Sequence, residues 1–168
     1  MENIIELKDS KIIANIMNIA FNTVALQLNY TIENAPRFPA FINYDEIEKD
    51  FDNGLKMFGY KINGQIIGCA GYQFNNKEDK YFIKRVVTLP EHRHKGIGKK
   101  LMEYVENNIR ENNGKIIEIY VVDENKILIE WYKKLNYKYV RIDDLSGIEK
   151  DGKKLFPFNS YVMNKILE

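Results

Sequence analysis

Cysteine is nearly missing from this chain of 168 residues, with Cys69 the only one. No internal disulfide can form, so the fold rests on its apolar core, and a reducing compartment suits it. An excess of one charge is missing too. Lys plus Arg number 25 against 24 Asp plus Glu, a formal charge of +1 that argues against a general nucleic-acid or membrane-surface binder. No apolar run approaches the ~20 residues needed to span a bilayer. The opening Met1-Glu2-Asn3 lacks the basic segment and apolar run of a secretory signal, so cytoplasmic residence is the expectation. Repeats, low-complexity tracts and long Pro/Gly/Ser linkers are absent, which predicts one domain over residues 1–168. The histidines are His92 and His94 alone, with no third ligand at metal-like spacing, so no metal is expected.

What the chain does have is ordered punctuation. Residues 3–8 read as a short strand. Asp9-Ser10 offers an N-cap, and Ile12, Ile13, Ile16, Ala20, Val24 and Leu28 follow at helical spacing. Pro36 and Pro39 make residues 31–41 a loop, and a polar helix over 43–53 stops at Asn53-Gly54. Runs 55–62 and 65–74 flank Asn63-Gly64, a hairpin signal because both residues accept positive φ. A third strand covers 80–88. Ile97, Leu101, Val105 and Ile109 give residues 96–112 one buried helical face, closed by Asn113-Gly114. The apolar run 115–122 reads as a central strand covered on both faces. Leu128, Trp131, Tyr132 and Leu135 mark another helix, and 137–144 with 154–166 form a final antiparallel pair. The order is that of a mixed α/β domain.

One segment carries chemistry. A strand ends near Pro90, and a helix opens at Gly96 and Gly98. The first turn of a helix has amide hydrogens without partners and the positive end of the helix dipole, a natural seat for phosphate oxygens. The glycines let an anion approach the backbone, and Arg93, Lys95 and Lys99 add charge there. The plainer alternative is a turning loop with solubilising lysines. Its position after an apolar strand and before an amphipathic helix favours the anion site.

Val86-x-Thr88-x-Pro90-x-x-Arg93-x-x-Gly96-x-Gly98 resembles motif A of the GNAT superfamily of acyl-CoA-dependent N-acyltransferases. Asn125 through Tyr137, NKILIEWYKKLNY, resembles motif B, whose usual form is N-x-x-A-x-x-F-Y-x-x-x-G-F. The element order matches across nearly the whole chain. The loop 31–39 and Phe156-Pro157-Phe158 are similar to a bacterial subgroup of undefined substrate.

The resemblance implies the GNAT fold: a central mixed, mostly antiparallel twisted sheet of about seven strands flanked by about four helices. It implies acetyl-CoA as co-substrate, a small-molecule or peptide amine as acceptor, and direct transfer without an acyl-enzyme. Dimerisation is common among such proteins, so a homodimer is compatible. Amides from Arg93, His94, Lys95, Gly96, Ile97 and Gly98 would hold the pyrophosphate, with Lys99 beside them. The pantetheine arm would lie in a V-shaped gap between Thr88 and the strand 115–122, pairing near Val86 and Thr88. The amide of Val87 or Thr88 would polarise the thioester carbonyl. Asn125 would cap the later helix and contact the pantetheine.

Tyr132 aligns with the tyrosine that protonates the leaving thiolate, since a phenol of pKa about 10 stays protonated at neutral pH. The alternative for Tyr132 is a core position. The glutamate that many relatives carry before motif A is replaced here by Lys84 and Arg85. Glu33, or Glu118 on the central strand, is then the candidate base, directly or through water. For each, a solvated or hydrogen-bonded carboxylate is the plainer reading. Asn136 stands for the usual glycine and Leu128 for the usual alanine. A coenzyme A-binding regulatory module without turnover is the rival reading.

Overall fold

A computed structural model of the chain describes residues 2–168. Strand β1 (Glu2–Leu7) leads into helix α1 (Ser10–Leu28). The expected Asp9 cap is in place, its carboxylate accepting from Lys11 N at 3.0 Å and Ile12 N at 3.1 Å. Ile13, Ile16, Met17 and Ala20 point into the core, whereas Ile12, counted on that face from spacing, is exposed. Asn29 closes α1 in a left-handed conformation. A single 3-10 turn (Pro39–Phe41) interrupts the following loop, and helix α2 (Tyr44–Asp52) comes next.

Strands β2 (Lys56–Ile62) and β3 (Gln65–Asn75) form the expected hairpin, with Asn63 at φ 47° and Gly64 at φ 83°. Strand β4 (Lys80–Thr88) precedes a 3-10 turn (Pro90–His92) and helix α3 (Ile97–Glu111). Ile97, Leu101, Val105 and Ile109 are all buried, as their spacing requires. Asn113 takes the left-handed conformation after α3, not Gly114. Gly114 answers a different demand: a Cβ there would sit 2.3 Å from Ile109 Cγ2 and 2.8 Å from the Tyr81 ring.

Strand β5 (Ile116–Val122), helix α4 (Lys126–Lys134) and strand β6 (Lys138–Asp143) complete the motif B region. Asn136 adopts φ 70°, the left-handed geometry glycine would otherwise supply. The tail departs from expectation. Lys154 belongs to a small hairpin of β7 (Glu149–Lys150) and β8 (Lys153–Lys154), and the last strand, β9, begins only at Ser160 and runs to Ile166. Between them Pro157 lacks an N–H for a ladder, and Phe156 and Phe158 turn into an aromatic cluster with Tyr30 and Phe38.

The main sheet has seven strands in the order β1-β2-β3-β4-β5-β9-β6. Only β4 and β5 are parallel, and the other pairs are antiparallel. Helix α3 packs on β2 to β4, and α1 packs on β3 and β4. This is the mixed, mostly antiparallel α/β sheet with four α-helices that the sequence predicts.

Candidate active site

The site begins with an irregularity in β4. Cys69 faces Val87 and Gly71 faces Lys84, so Arg85 and Val86 together oppose Ala70. This is a β-bulge, with Arg85 at φ 59°. Left-handed backbone costs a non-glycine residue roughly 1–2 kcal/mol. Contacts offset that cost. The Arg85 guanidinium donates to Asp50 Oδ2 on α2 from Nε at 3.1 Å and from Nη2 at 2.8 Å, and the Cys69 thiol donates to the Arg85 carbonyl at 3.4 Å. Before the bulge, β4 pairs with β5 at Tyr81–Ile117 and Phe82–Glu118. Past those two positions the strands part, leaving Val86 to Thr88 open toward the gap.

The chain then turns over the gap's mouth. Leu89 N bonds Ile67 O at 2.8 Å, and the backbone passes through His94 at φ 61° and Gly96 at φ 78° into α3. The main-chain N–H groups of His94 through Lys99 have no hydrogen-bond partner among the described residues. Lys100 N, bonded to Gly96 O at 3.0 Å, is the first to be satisfied. Arg93 N is already engaged with Pro90 O at 3.3 Å, so the run of open amides starts one residue later than expected.

The two glycines serve different ends. A Cβ on Gly96 would meet nothing within 4 Å, so glycine is needed there for its positive φ. A Cβ on Gly98 would lie 3.1 Å from Trp131 Cζ2 and 3.4 Å from its Cη2. Gly98 thus makes room for an indole. The Arg93 side chain is also differently occupied. It donates to Thr88 O at 3.2 Å, Thr23 Oγ1 at 2.9 Å and Ala20 O at 2.7 Å, stitching the loop to α1. Burial lowers its pKa from the ordinary arginine value. Lys95 Nζ donates to Glu91 O at 3.0 Å, and Lys99 pairs loosely with Glu103 at 3.8 Å.

These parts enclose a cleft of about 420 Å³. Val86, Val87 and Thr88 form one side, and the loop from His92 through Lys99 forms the rim. Phe21, Val24 and Gln27 of α1 face Leu128 and Trp131 of α4. Asn125 lines the cleft while capping α4, its Oδ1 accepting from Leu128 N at 3.3 Å. Tyr132 is 5% exposed and does not itself line the cleft, its ring against Trp131, which does, and Tyr137. Its hydroxyl has no partner among the described residues and is not fully sealed from solvent. Burial raises its pKa above the ordinary phenol value.

The candidate bases fall elsewhere. Glu33 is exposed on the turn 31–34 and does not line the cleft. Glu118 is 0% exposed and takes hydrogen bonds from Lys80 at 3.1 Å, Tyr120 at 3.0 Å and Arg141 at 3.3 Å. Burial pushes its pKa up, but the bonds from Lys80 and Tyr120 and the nearby Arg141 charge outweigh burial and hold it below 4.5. It also pairs with Phe82, six residues before Thr88, so it lies about 20 Å along the strand from the gap's mouth. Lys84 sits near Asp50 at 4.0 Å, and burial lowers its pKa. Cys69 is buried, with its thiol pushed up to about 12, which suits a packing residue. Among the described residues no group of three His, Cys, Asp or Glu could hold a metal, and no helix is long and apolar enough to cross a membrane.

Sequence reasoning missed the α1 wall and the Arg93 anchor. Thr23 and Arg93 are 70 positions apart, and no local pattern links them.

A splayed strand pair capped by an open-amide loop gives this α/β protein a cleft whose mouth can accept an anion. Residues 23–137 match the sequence profile of the Acetyltransferase (GNAT) family, and the chain belongs to that family of acetyltransferases. Its fold is similar to that of several solved structures. The PaiA N-acetyltransferase from Thermoplasma acidophilum, in complex with coenzyme A, is 18% identical, with 99% of each chain covered and a TM-score of 0.71. The ribosomal-protein-S18-alanine N-acetyltransferase of Escherichia coli is 17% identical, with 99% of this chain and 94% of that chain covered and a TM-score of 0.70. A GNAT-family acetyltransferase from Staphylococcus aureus Mu50 is 18% identical over 100% of both chains, with a TM-score of 0.71. No curated protein sequence matches the chain.

Proposed function

We propose that this protein, acting as one domain over residues 1–168, moves an acetyl group from acetyl-CoA directly to a primary amine. The observation that carries the reading is the run of unpartnered N–H groups from His94 to Lys99 at the mouth of the cleft. Consecutive open amides at a helix start offer a diphosphate several donors and the positive end of the dipole. The cleft behind it is walled by the apolar side chains of Phe21, Leu128 and Trp131, which suits a pantetheine arm. The amide of Val87 or Thr88 polarises the thioester carbonyl, and Asn125 meets the pantetheine.

Tyr132 supplies the proton to the departing sulfur. A phenol stays protonated across the neutral range, and this hydroxyl lacks a competing partner among the described residues. Since Lys84 and Arg85 stand where many relatives place a glutamate, coenzyme A binding without turnover is the rival.

Calorimetry with coenzyme A and thiol release from acetyl-CoA across an amine panel decide between them. Binding with thiol release is expected. Binding without release on any amine leaves the rival, and no heat of binding ends both.

A further inference from the structure

A second cavity, of about 330 Å³, lies beside the cofactor cleft. Asp123 and Glu124 line it from the turn after β5, and Phe156 and Phe158 from the segment before β9. Asn125, the next residue in the chain, lines the first cleft. The turn 123–125 therefore contributes to the lining of both spaces. It lies at the C-terminal end of β5, and because β4 and β5 are parallel, Thr88 ends on the same side.

Resting on the acetyl-transfer reading above, we infer that this second cavity takes the acceptor, a primary alkylammonium on an apolar or aromatic body, and that Glu124 receives its proton. Glu124 is held on one side only. Tyr30 donates its hydroxyl to Oε1 at 2.5 Å, while Oε2 has no partner among the described residues. Tyr30 is itself buried and fixed by edge contact with Phe38 and a tilted contact with Phe158. The carboxylate is thus oriented by a rigid phenol and still offers an open oxygen.

Asp123 repeats the arrangement. Its Oδ1 accepts from Asn159 N at 3.1 Å, and Oδ2 has no partner among the described residues. The charged and titratable groups around Glu124 are Asp123 and Lys126 on its own turn, Tyr30 from the end of α1, and Lys154 from β8. Lys126 is turned to the Asp123 carbonyl at 2.7 Å. Two open carboxylate oxygens against one lining lysine favour a cation, and the phenylalanines favour an apolar body.

The proton and electron count closes. Glu124 takes one ammonium proton and passes it to solvent. The freed lone pair forms the C–N bond as the C–S bond breaks. The sulfur takes the Tyr132 proton, and the second proton leaving nitrogen restores that phenol. Thioester and ammonium give amide, thiol and one released proton.

The test uses the full chain with acetyl-CoA, phenethylamine and its para-carboxylate analogue. The wild type should acetylate phenethylamine with the higher kcat/KM. Glu124→Gln should lose roughly tenfold or more of that kcat/KM at neutral pH. The deficit should shrink toward the amine's own pKa of roughly 10, where free amine needs no base. Coenzyme A affinity, measured by calorimetry, should be unchanged, which also reports that the variant is folded. Wild-type kcat/KM retained in Glu124→Gln overturns the inference, as does equal or better use of the analogue. A wild type that binds coenzyme A yet neither acetylates nor is thermally stabilised by phenethylamine overturns it too. Failure to bind coenzyme A is a separate result, which sinks the earlier reading.

Discussion

At the scale of single residues, unpartnered atoms are more informative than bonded ones. The Tyr132 hydroxyl stabilises nothing in the folded chain, because it has no partner among the described residues. Tyr132→Phe should therefore leave the melting temperature close to that of the wild type, since the hydroxyl makes no bond within the folded chain and still reaches solvent. The same change should lower kcat by roughly 10²-fold, with coenzyme A affinity kept. Steady-state kinetics beside a thermal melt check both halves. Gly98 gives the opposite pattern. An added methyl meets the Trp131 indole at 3.1 Å, so Gly98→Ala should push the ring into the cleft and weaken coenzyme A binding about tenfold in calorimetry. Alanine's better helix propensity should hold stability near wild type.

Glu118 shows a buried charge used for structure. Its pKa lies below the ordinary 4.5, so the folded state binds its proton less readily than the unfolded chain. Its contribution is complete above that value and drains as pH falls through the lower folded value. Lys80 and Arg141 still reach solvent, at 26% and 42% exposure, so water screens part of the attraction. Glu118→Gln should cost about 1–3 kcal/mol at neutral pH in denaturant unfolding, below the limit for fully buried pairs. It should also flatten the loss of stability seen in acid.

Among the elements, β4 decides the most. Its regular half joins β5, and its bulged half releases β5 and opens the cleft. The bulge is held from outside the sheet by Asp50 on α2, with both partners largely buried. Asp50→Asn removes the charge from that clamp. The expected result is a loss of about 1–2 kcal/mol in stability together with weaker coenzyme A binding, because the open edge at Val86 to Thr88 loses its fixed direction. Denaturant unfolding and calorimetry on the same variant test the coupling. Unchanged cofactor affinity would show that the bulge holds its shape without α2.

Across the whole molecule, a second, smaller core joins distant parts of the chain. Phe38 is 1% exposed and meets Phe21, Tyr30, Phe41 and Phe158 edge-on. It ties the loop after α1 to the segment before β9, and that segment lines the second cavity through Phe156 and Phe158. Phe38→Ala should cost about 3–5 kcal/mol. If the chain still folds at low temperature, KM for the amine should rise more than KM for acetyl-CoA.

The sequence by itself determined the order of the main-sheet strands and α-helices, the cap at Asp9, the hairpin at Asn63-Gly64 and the helix start at Gly96. These are local matters, fixed by backbone preferences and short-range hydrogen bonds within a few residues. Tertiary structure alone decided that Arg93 anchors a loop to α1, that Gly98 accommodates Trp131, that Glu118 is sealed away from the gap, and that Tyr30 orients Glu124. Each of these depends on groups brought together across the sheet, where burial and a partner's position, not residue type, set what a side chain does.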